Sequence, residues 1–348
     1  MSIAYYLWAI PVFGLLIFIH ELGHFAVAKW TGVKVEEFAL GFGPRIAGFQ
    51  MGETRYNLRV FPLGGFVRMA GMEDGDPEDP RGFNRKPLWA RALVMAAGPV
   101  MNLVLAALLI VGYFYFIGPQ SNEPVLGGVE PTCPALVGGP TLRGPCPAYA
   151  AGMSAGDRIL VIDDKPVASW EDILNLVTAS GGRVIGITYQ HGSEQRHVQV
   201  QPVPSGARYI IGIRQSSTPL SLGQSLVQGP VLTAQISVAW LSGLGQMITG
   251  RVRPELSGPV GITRTIAEQA QMGLENLLFF TAFLSINLGL FNLLPVPMLD
   301  GSRLVFLGIE AARGRRVDPA RENMVHFVGF LLLIGLMIAI TFHEVIVR

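Results

Sequence analysis

Apolar residues in this 348-residue chain gather into long blocks separated by polar stretches. Four blocks reach the roughly 20 apolar residues that a helix needs to cross a bilayer: about Ile3 to Val27, Ala92 to Ile117, Leu277 to about Leu294, and Val325 to Val347. The first block has no basic n-region and no small-residue cleavage site, so a retained span is expected there and not a signal peptide. After the first block the pattern changes. Thr54, Tyr56, Leu58 and Val60 face one way, while Glu53, Arg55, Asn57 and Arg59 face the other. That period of two predicts a strand, closed by Pro62, Gly64 and Gly65 and preceded by Gly-Phe-Gly-Pro at Gly41 to Pro44. Glu73 to Arg81 reads as an acidic, Pro-rich surface loop. Leu220 to Gly245 is amphipathic and free of charge, with Gln, Ser and Thr interleaved; the pattern suits a helix in the membrane interface or one packed on a bundle.

The segment from about Glu123 to Val203 alternates on a shorter scale and predicts a small soluble domain. A short helix ends at Gly152, a strand runs from Arg158 to Ile162, and Asp163-Asp164 starts a hairpin turn. A helix over about Trp170 to Ala179 precedes strands near Val184 to Tyr189 and His197 to Val203. The pattern Gly-x-x-x-Gly-Asp-x-Ile-x-x-Ile-Asp from Gly152 to Asp163 resembles a PDZ domain of the bacterial kind. Against that resemblance, the Gly- and Pro-rich stretch between Cys133 and Cys146 looks like an inserted loop with a cysteine at each end. A disulfide between them and a pair of unbonded thiols are both open; a bond closing so short a loop would contribute about 3 kcal/mol.

Composition agrees with the blocks. Half of the residues are hydrophobic and 15% are charged, against about 25% charged in soluble domains. The net charge of +1 lacks the basic excess that nucleic-acid binding needs, so no nucleic acid is expected as a partner. Lys and Arg cluster in two places: ten lie from Lys29 to Arg91, and Arg303, Arg313, Arg315, Arg316 and Arg321 lie between the last two blocks. By the positive-inside rule both places face the cytoplasm. Both termini and the middle domain are then expected outside it.

The chemistry sits in Phe18-Ile-His-Glu-Leu-Gly-His-Phe25. On a helix His20 and His24 project from one face and can share one zinc ion, with Glu21 beside them as the base of a hydrolase. Zinc brings the pKa of water towards about 7, and the carboxylate takes the proton. Ionisable groups at a span are costly, about 2.5–3.5 kcal/mol at the helix centre, and normally mark function. Catalytic zinc needs a third protein ligand. His191 and His197 fall in the middle domain, and no pattern recommends His326 or His343. Asp300 is the better candidate, because Asn292-Leu-Leu-Pro-Val-Pro-Met-Leu-Asp-Gly301 breaks the third span at the depth of His20 and His24. Asn102 and Asn292, in or beside spans, read equally as support for substrate or oxyanion and as interhelical hydrogen-bonding groups.

Taken together, the His-Glu-x-x-His span, Asn292-x-x-Pro-x-Pro-x-x-Asp-Gly301, Gly98-Pro-x-x-Asn102 and the PDZ-like insert resemble the site-2 protease family, nearest the bacterial regulator-of-sigma-E type. The resemblance implies Zn2+ held by His20, His24 and Asp300, with Glu21 as general base. It implies a polytopic α-helical membrane protein of about four transmembrane helices, with a membrane-associated β element on the cytoplasmic side and an inserted extracytoplasmic PDZ-like α/β domain. The expected division is 1–122, 123–205 and 206–348. Some members carry two PDZ-like domains where one is expected here. The implied function is hydrolysis within transmembrane segments: regulated intramembrane proteolysis, for example of an anti-sigma factor, or clearance of signal-peptide remnants. Expected partners are single-span membrane proteins or signal peptides, the lipid bilayer and an upstream site-1 protease, with a bacterial inner-membrane location and the active site towards the cytoplasm. The alternatives are a catalytically idle membrane adaptor, which has no need of Glu21, and a zinc transporter, for which no internal repeat is visible.

Overall fold

The computed structural model describes residues 3–72, 78–133, 144–205, 208–252 and 258–347. In chain order the elements are α1 (Ile3–Tyr6), α2 (Ala9–Trp30), β1 (Val35–Met51), β2 (Thr54–Met69), α3 (Leu88–Phe116), β3 (Leu126–Val129), α4 (Pro147–Ala150), β4 (Arg158–Ile162), β5 (Lys165–Pro166), α5 (Trp170–Ala179), β6 (Ile185–His191), β7 (Glu194–Val200), β8 (Val203–Ser205), β9 (Arg208–Ile210), β10 (Ile213–Gln215), α6 (Leu222–Ile248), α7 (Pro259–Met272), α8 (Leu274–Leu293), α9 (Asp300–Arg313) and α10 (Pro319–Phe342). They form two compact units, one of residues 1–113 and 222–348, the other of residues 114–221.

Among the described residues, five helices are long and apolar enough to cross a membrane: Ala4–Trp30, Leu88–Phe116, Leu222–Ile248, Leu274–Leu293 and Arg321–Ile346. The apolar blocks of the sequence predict about four. The fifth is α6, whose interleaved Gln, Ser and Thr lower its hydropathy; Thr233 and Ser237 bond the carbonyls of Gly229 and Thr233 one turn back, which hides hydroxyls inside the helix's own ladder. One core joins Leu16 of α2, Leu105 of α3, Ile266 of α7 and Leu277 of α8. A second joins Ala28, Val35, Met69, Val94 and Leu307, where α2, the strands, α3 and the middle of α9 meet.

The β element is larger than the expected strand. β2 does not end at Pro62 but runs on to Met69. The reason lies in its partner: residues 37–40 of β1 have 55–58 on one side and 65–68 on the other, so the stretch after Pro62 finds a ladder of its own. Gly52, at φ +60°, turns the hairpin between Met51 and Thr54. Glu53 at that turn is held by Lys29 (2.8 Å) and Arg81 (2.7 Å). The acidic stretch read from Glu73 to Arg81 lies partly outside the described residues; its Asp79 pairs with Lys34 at 2.7 Å.

The second unit holds a four-stranded sheet in the order β5-β4-β6-β7, with the pairs β10-β3 and β8-β9 beside it. Asp163 and Asp164 both take positive φ (45° and 62°), the conformation of a tight hairpin turn that Asp tolerates. Ser169 and Asp172 form a capping box that starts α5, and α5 packs Ile173 and Val177 onto Ile159, Ile185 and Ile187. This unit is wider than the 123–205 drawn from the sequence, since β10 pairs back onto β3 (Ile213 opposite Val129). Cys133 and Cys146 are bonded, with Cα atoms 4.9 Å apart.

Candidate active site

Helix α2 carries its two histidines one turn apart, so their rings meet at 4.8 Å between centroids. Both are buried, His20 at 9% and His24 at 6% exposure. The facing wall is α3. A side chain at Gly98 would strike the His24 ring, and one at Gly23 would strike the Ala97 carbonyl; two glycines thus let the helices approach. His24 Nδ1 lies 2.7 Å from the Val94 carbonyl oxygen. Since a carbonyl only accepts, the ring proton sits on Nδ1 and leaves Nε2 with a free lone pair.

Asp300 enters from the other end of the chain. The two prolines at 295 and 297 end the helical run of α8, and the chain turns back so that Asp300 is the first residue of α9. A side chain at Gly301 would strike the carbonyls of Leu293 and Leu294, so glycine is needed where α9 starts beneath the end of α8. The carboxylate sits at the positive end of the α9 dipole. Its Oδ2 is 3.1 Å from His20 Nε2 and 3.3 Å from His24 Nε2. These three donor atoms all lie within 4.8 Å of one another.

Oδ2 of Asp300 is buried and has no conventional hydrogen-bond donor among the described residues. Two imidazole nitrogens and one carboxylate oxygen converging on one point are a donor set that fits a catalytic zinc ion. Glu21 follows His20 on α2. Strand β2 passes over it: a side chain at Gly65 would come within 2.9 Å of the Glu21 Cγ. Glu21 therefore lies against the backbone of a strand at Gly65.

The two asparagines part company. Asn102 of α3 is fully buried, and its amide is 3.3 Å from His20 Nδ1. Its own backbone carbonyl accepts from Ser285 of α8 at 2.7 Å. Asn292 instead donates to the Leu288 carbonyl at 3.0 Å, inside its own helix. His326, from α10, does not join the donors; its Nδ1 accepts from the backbone N–H of Met298 at 3.0 Å. In the second unit His191 pairs with the buried Asp157 at 2.7 Å. The sequence signals for Gly98 and Gly65 were present in Gly98-Pro99 and Gly64-Gly65, but their closeness to His24 and Glu21 is visible only in three dimensions.

The family profile described as Peptidase family M50 matches residues 8–344. Zinc metalloprotease RasP of Geobacillus kaustophilus is 32% identical, over 97% of this chain and 96% of its own length. The regulator of sigma-W protease RasP of Bacillus subtilis is 31% identical, over 97% of both chains. Among solved structures, a PDZ domain from Listeria monocytogenes is similar over 28% of this chain and 93% of its own, at 18% identity and a TM-score of 0.21.

Proposed function

The chain belongs to peptidase family M50 and is a zinc metalloprotease, and on that premise we propose that His20, His24 and Asp300 hold the zinc ion and that Glu21 is the general base. The observation that carries the reading is the meeting of three donor atoms from helices some 276 residues apart in sequence, beside an acidic side chain. Bound there, the ion would supply Lewis acidity to water and to the scissile carbonyl. The protein's own residues do the rest. Val94 fixes the His24 tautomer, the Glu21 carboxylate takes the proton of the attacking water and returns it to the leaving nitrogen, and α2 and α3 exclude bulk water around them. An idle adaptor would need neither the donors nor Glu21.

The substrate proposed is a transmembrane segment. Helices must be unwound before a protease can reach the peptide bond, and an extended peptide binds well as an added strand. Residues 65–68 of β2, which run past Glu21, offer such a template. Phe42, Ile46, Phe49, Met51, Leu58 and Phe61 of the same element are large and exposed, a patch that suits burial in lipid. The arginine clusters favour the active site towards the cytoplasm, with both termini and a PDZ-like domain of residues 123–205 on the far side of a bacterial inner membrane. The B. subtilis relative is named a regulator of sigma-W protease; the substrates proposed here are single-span anti-sigma factors left by an upstream protease, and signal-peptide remnants.

The test is cleavage of a transmembrane model substrate in detergent. Wild type should cut inside the span and lose activity to a zinc chelator. Glu21→Gln should keep its zinc and lose activity by at least about 100-fold. Wild-type protein that holds no zinc and cuts none of several unrelated spans would overturn the proposal.

A further inference from the structure

The loop that delivers Asp300 contains a residue in a conformation its side chain disfavours. Met298 has φ +76°, the left-handed region that suits glycine and crowds any residue with a Cβ. Such a conformation persists only where the surroundings over-determine it. Within the loop, Pro295 and Pro297 have no N–H to give. The amides of Val296 and Leu299 find carbonyls at Leu294 (2.7 Å) and Val296 (3.1 Å). Met298 alone turns its N–H to a distant side chain, Nδ1 of His326 at 3.0 Å.

His326 is well placed to hold it. It is 6% exposed, and its ring packs 5.8 Å from that of Phe306 on α9, the helix that Asp300 begins. One turn on, Gly329 brings α10 against the same loop: a side chain there would strike the Pro297 ring. Helix α10 therefore meets the loop at two successive points on one face, a hydrogen-bond acceptor and a close backbone approach. Met298 is two residues from Asp300, so a change in its φ swings the carboxylate away from His20 and His24.

We propose that His326 is a positioning residue for the zinc site, holding Met298 in its left-handed conformation and so fixing the Asp300 carboxylate. This rests on the reading of Asp300 as a zinc ligand and adds a second layer to it. The acceptor is what matters: Nδ1 must present a lone pair to the Met298 N–H. Asparagine carries its side-chain oxygen at nearly the place of Nδ1, glutamine carries one further out, and leucine carries none.

The experiment uses the full chain in detergent and measures zinc affinity by competition with a chromophoric chelator, together with kcat and KM on a transmembrane substrate. His326→Leu should weaken zinc binding by about 10–100-fold, the scale of second-layer changes at metal sites, and lower kcat with little change in KM. His326→Asn should restore both values to near wild type, and His326→Gln should not. Met298→Gly, which adopts the same φ freely, should be nearly silent alone and should recover most of the loss when added to His326→Leu. The proposal is overturned if His326→Leu keeps wild-type zinc affinity. It is overturned equally if neither His326→Asn nor Met298→Gly rescues, because the residue would then be packing alone. Asp300→Ala, measured alongside, separates the two readings: undiminished zinc affinity in that variant removes the ligand assignment itself.

Discussion

The Asn102 amide lies 3.3 Å from Nδ1 of His20, the ring nitrogen that Asp300 does not touch. With a metal on Nε2, the ring proton must sit on Nδ1, which then needs an acceptor. The Oδ1 of Asn102 is buried and without a partner among the described residues. An amide turned by 180° about its last bond exchanges O and N and answers both needs at once. The oxyanion role considered for Asn102 is thus joined by a more direct one, orientation of a ligand. Asn102→Ala should reduce zinc affinity by about 10–100-fold, whereas Asn102→Asp, which keeps an acceptor facing Nδ1, should retain most of it. Zinc competition decides, and equal affinities for both variants would argue against orientation.

Two glycines face the site with different consequences. A Cβ at Gly98 would strike the His24 ring from the rigid backbone of α3, while one at Gly65 would come within 2.9 Å of Cγ in the Glu21 side chain, which can turn aside. Gly98→Ala should therefore lose zinc and activity together. Gly65→Ala should keep zinc and lower kcat, since the base is displaced but the donors are not. Metal analysis beside kcat on each variant checks the contrast; zinc loss in Gly65→Ala would mean that the strand supports the donors as well.

These contrasts show what the sequence could reveal. His20 and His24 stood out because a spacing of four on an apolar helix puts them on one face, with Glu21 next to His20, and Asp300 because the two prolines before it mark a broken span. Strand β1 was not, since Gly41 to Pro44 interrupts any alternation and its outer half is exposed on both faces. The run of β2 past Pro62 depends on a ladder with residues 37–40, a long-range pairing that local propensity cannot register. Helix α6 fell below the apolar pattern because its interleaved Gln, Ser and Thr lower its hydropathy, while the bonding of Thr233 and Ser237 inside the helix shows only in the structure. The partners of His326 and Asn102 lie 28 and 82 residues away, and neither side chain carries a periodic signal.

The N-terminal and C-terminal stretches of the first unit are joined by Arg91 of α3 and Glu310 of α9, a bidentate pair at 2.8 and 2.5 Å. The Arg91 hydrogen bonds hold the Glu310 carboxyl below its ordinary value. A carboxyl depressed on folding stabilises the fold above its unfolded value near 4.5 and ceases to do so as pH falls through the lower folded value. Glu310→Gln should therefore lower the thermal midpoint at pH 7, by the equivalent of about 2 kcal/mol for a charge-assisted bond. The difference from wild type should shrink as pH is brought below 4. Midpoints that differ equally at both pH values would assign the effect to packing and not to charge.

Cys146 is fully buried and caps the start of α4, its N–H bonded to the Pro131 carbonyl at 3.2 Å. Gly212, at φ +79°, passes so close that a side chain there would lie 2.5 Å from the Cys146 sulfur. The Cys133–Cys146 bond thus ties the loop at residues 131–133 to the start of α4, beside Gly212 and inside one unit. Closing a separation of 13 residues removes unfolded-state freedom worth about 3 kcal/mol in the chain-entropy model. Reduction, or Cys133→Ser with Cys146→Ser, should therefore speed amide hydrogen exchange in β4 and β6, the centre of that unit's sheet, by about 100-fold, the equivalent of that free energy. Exchange in α2 and α8 serves as the internal reference. Unchanged protection in β4 and β6 after reduction would show that the noncovalent core of Ile159, Ile185 and Ile187 holds the unit by itself.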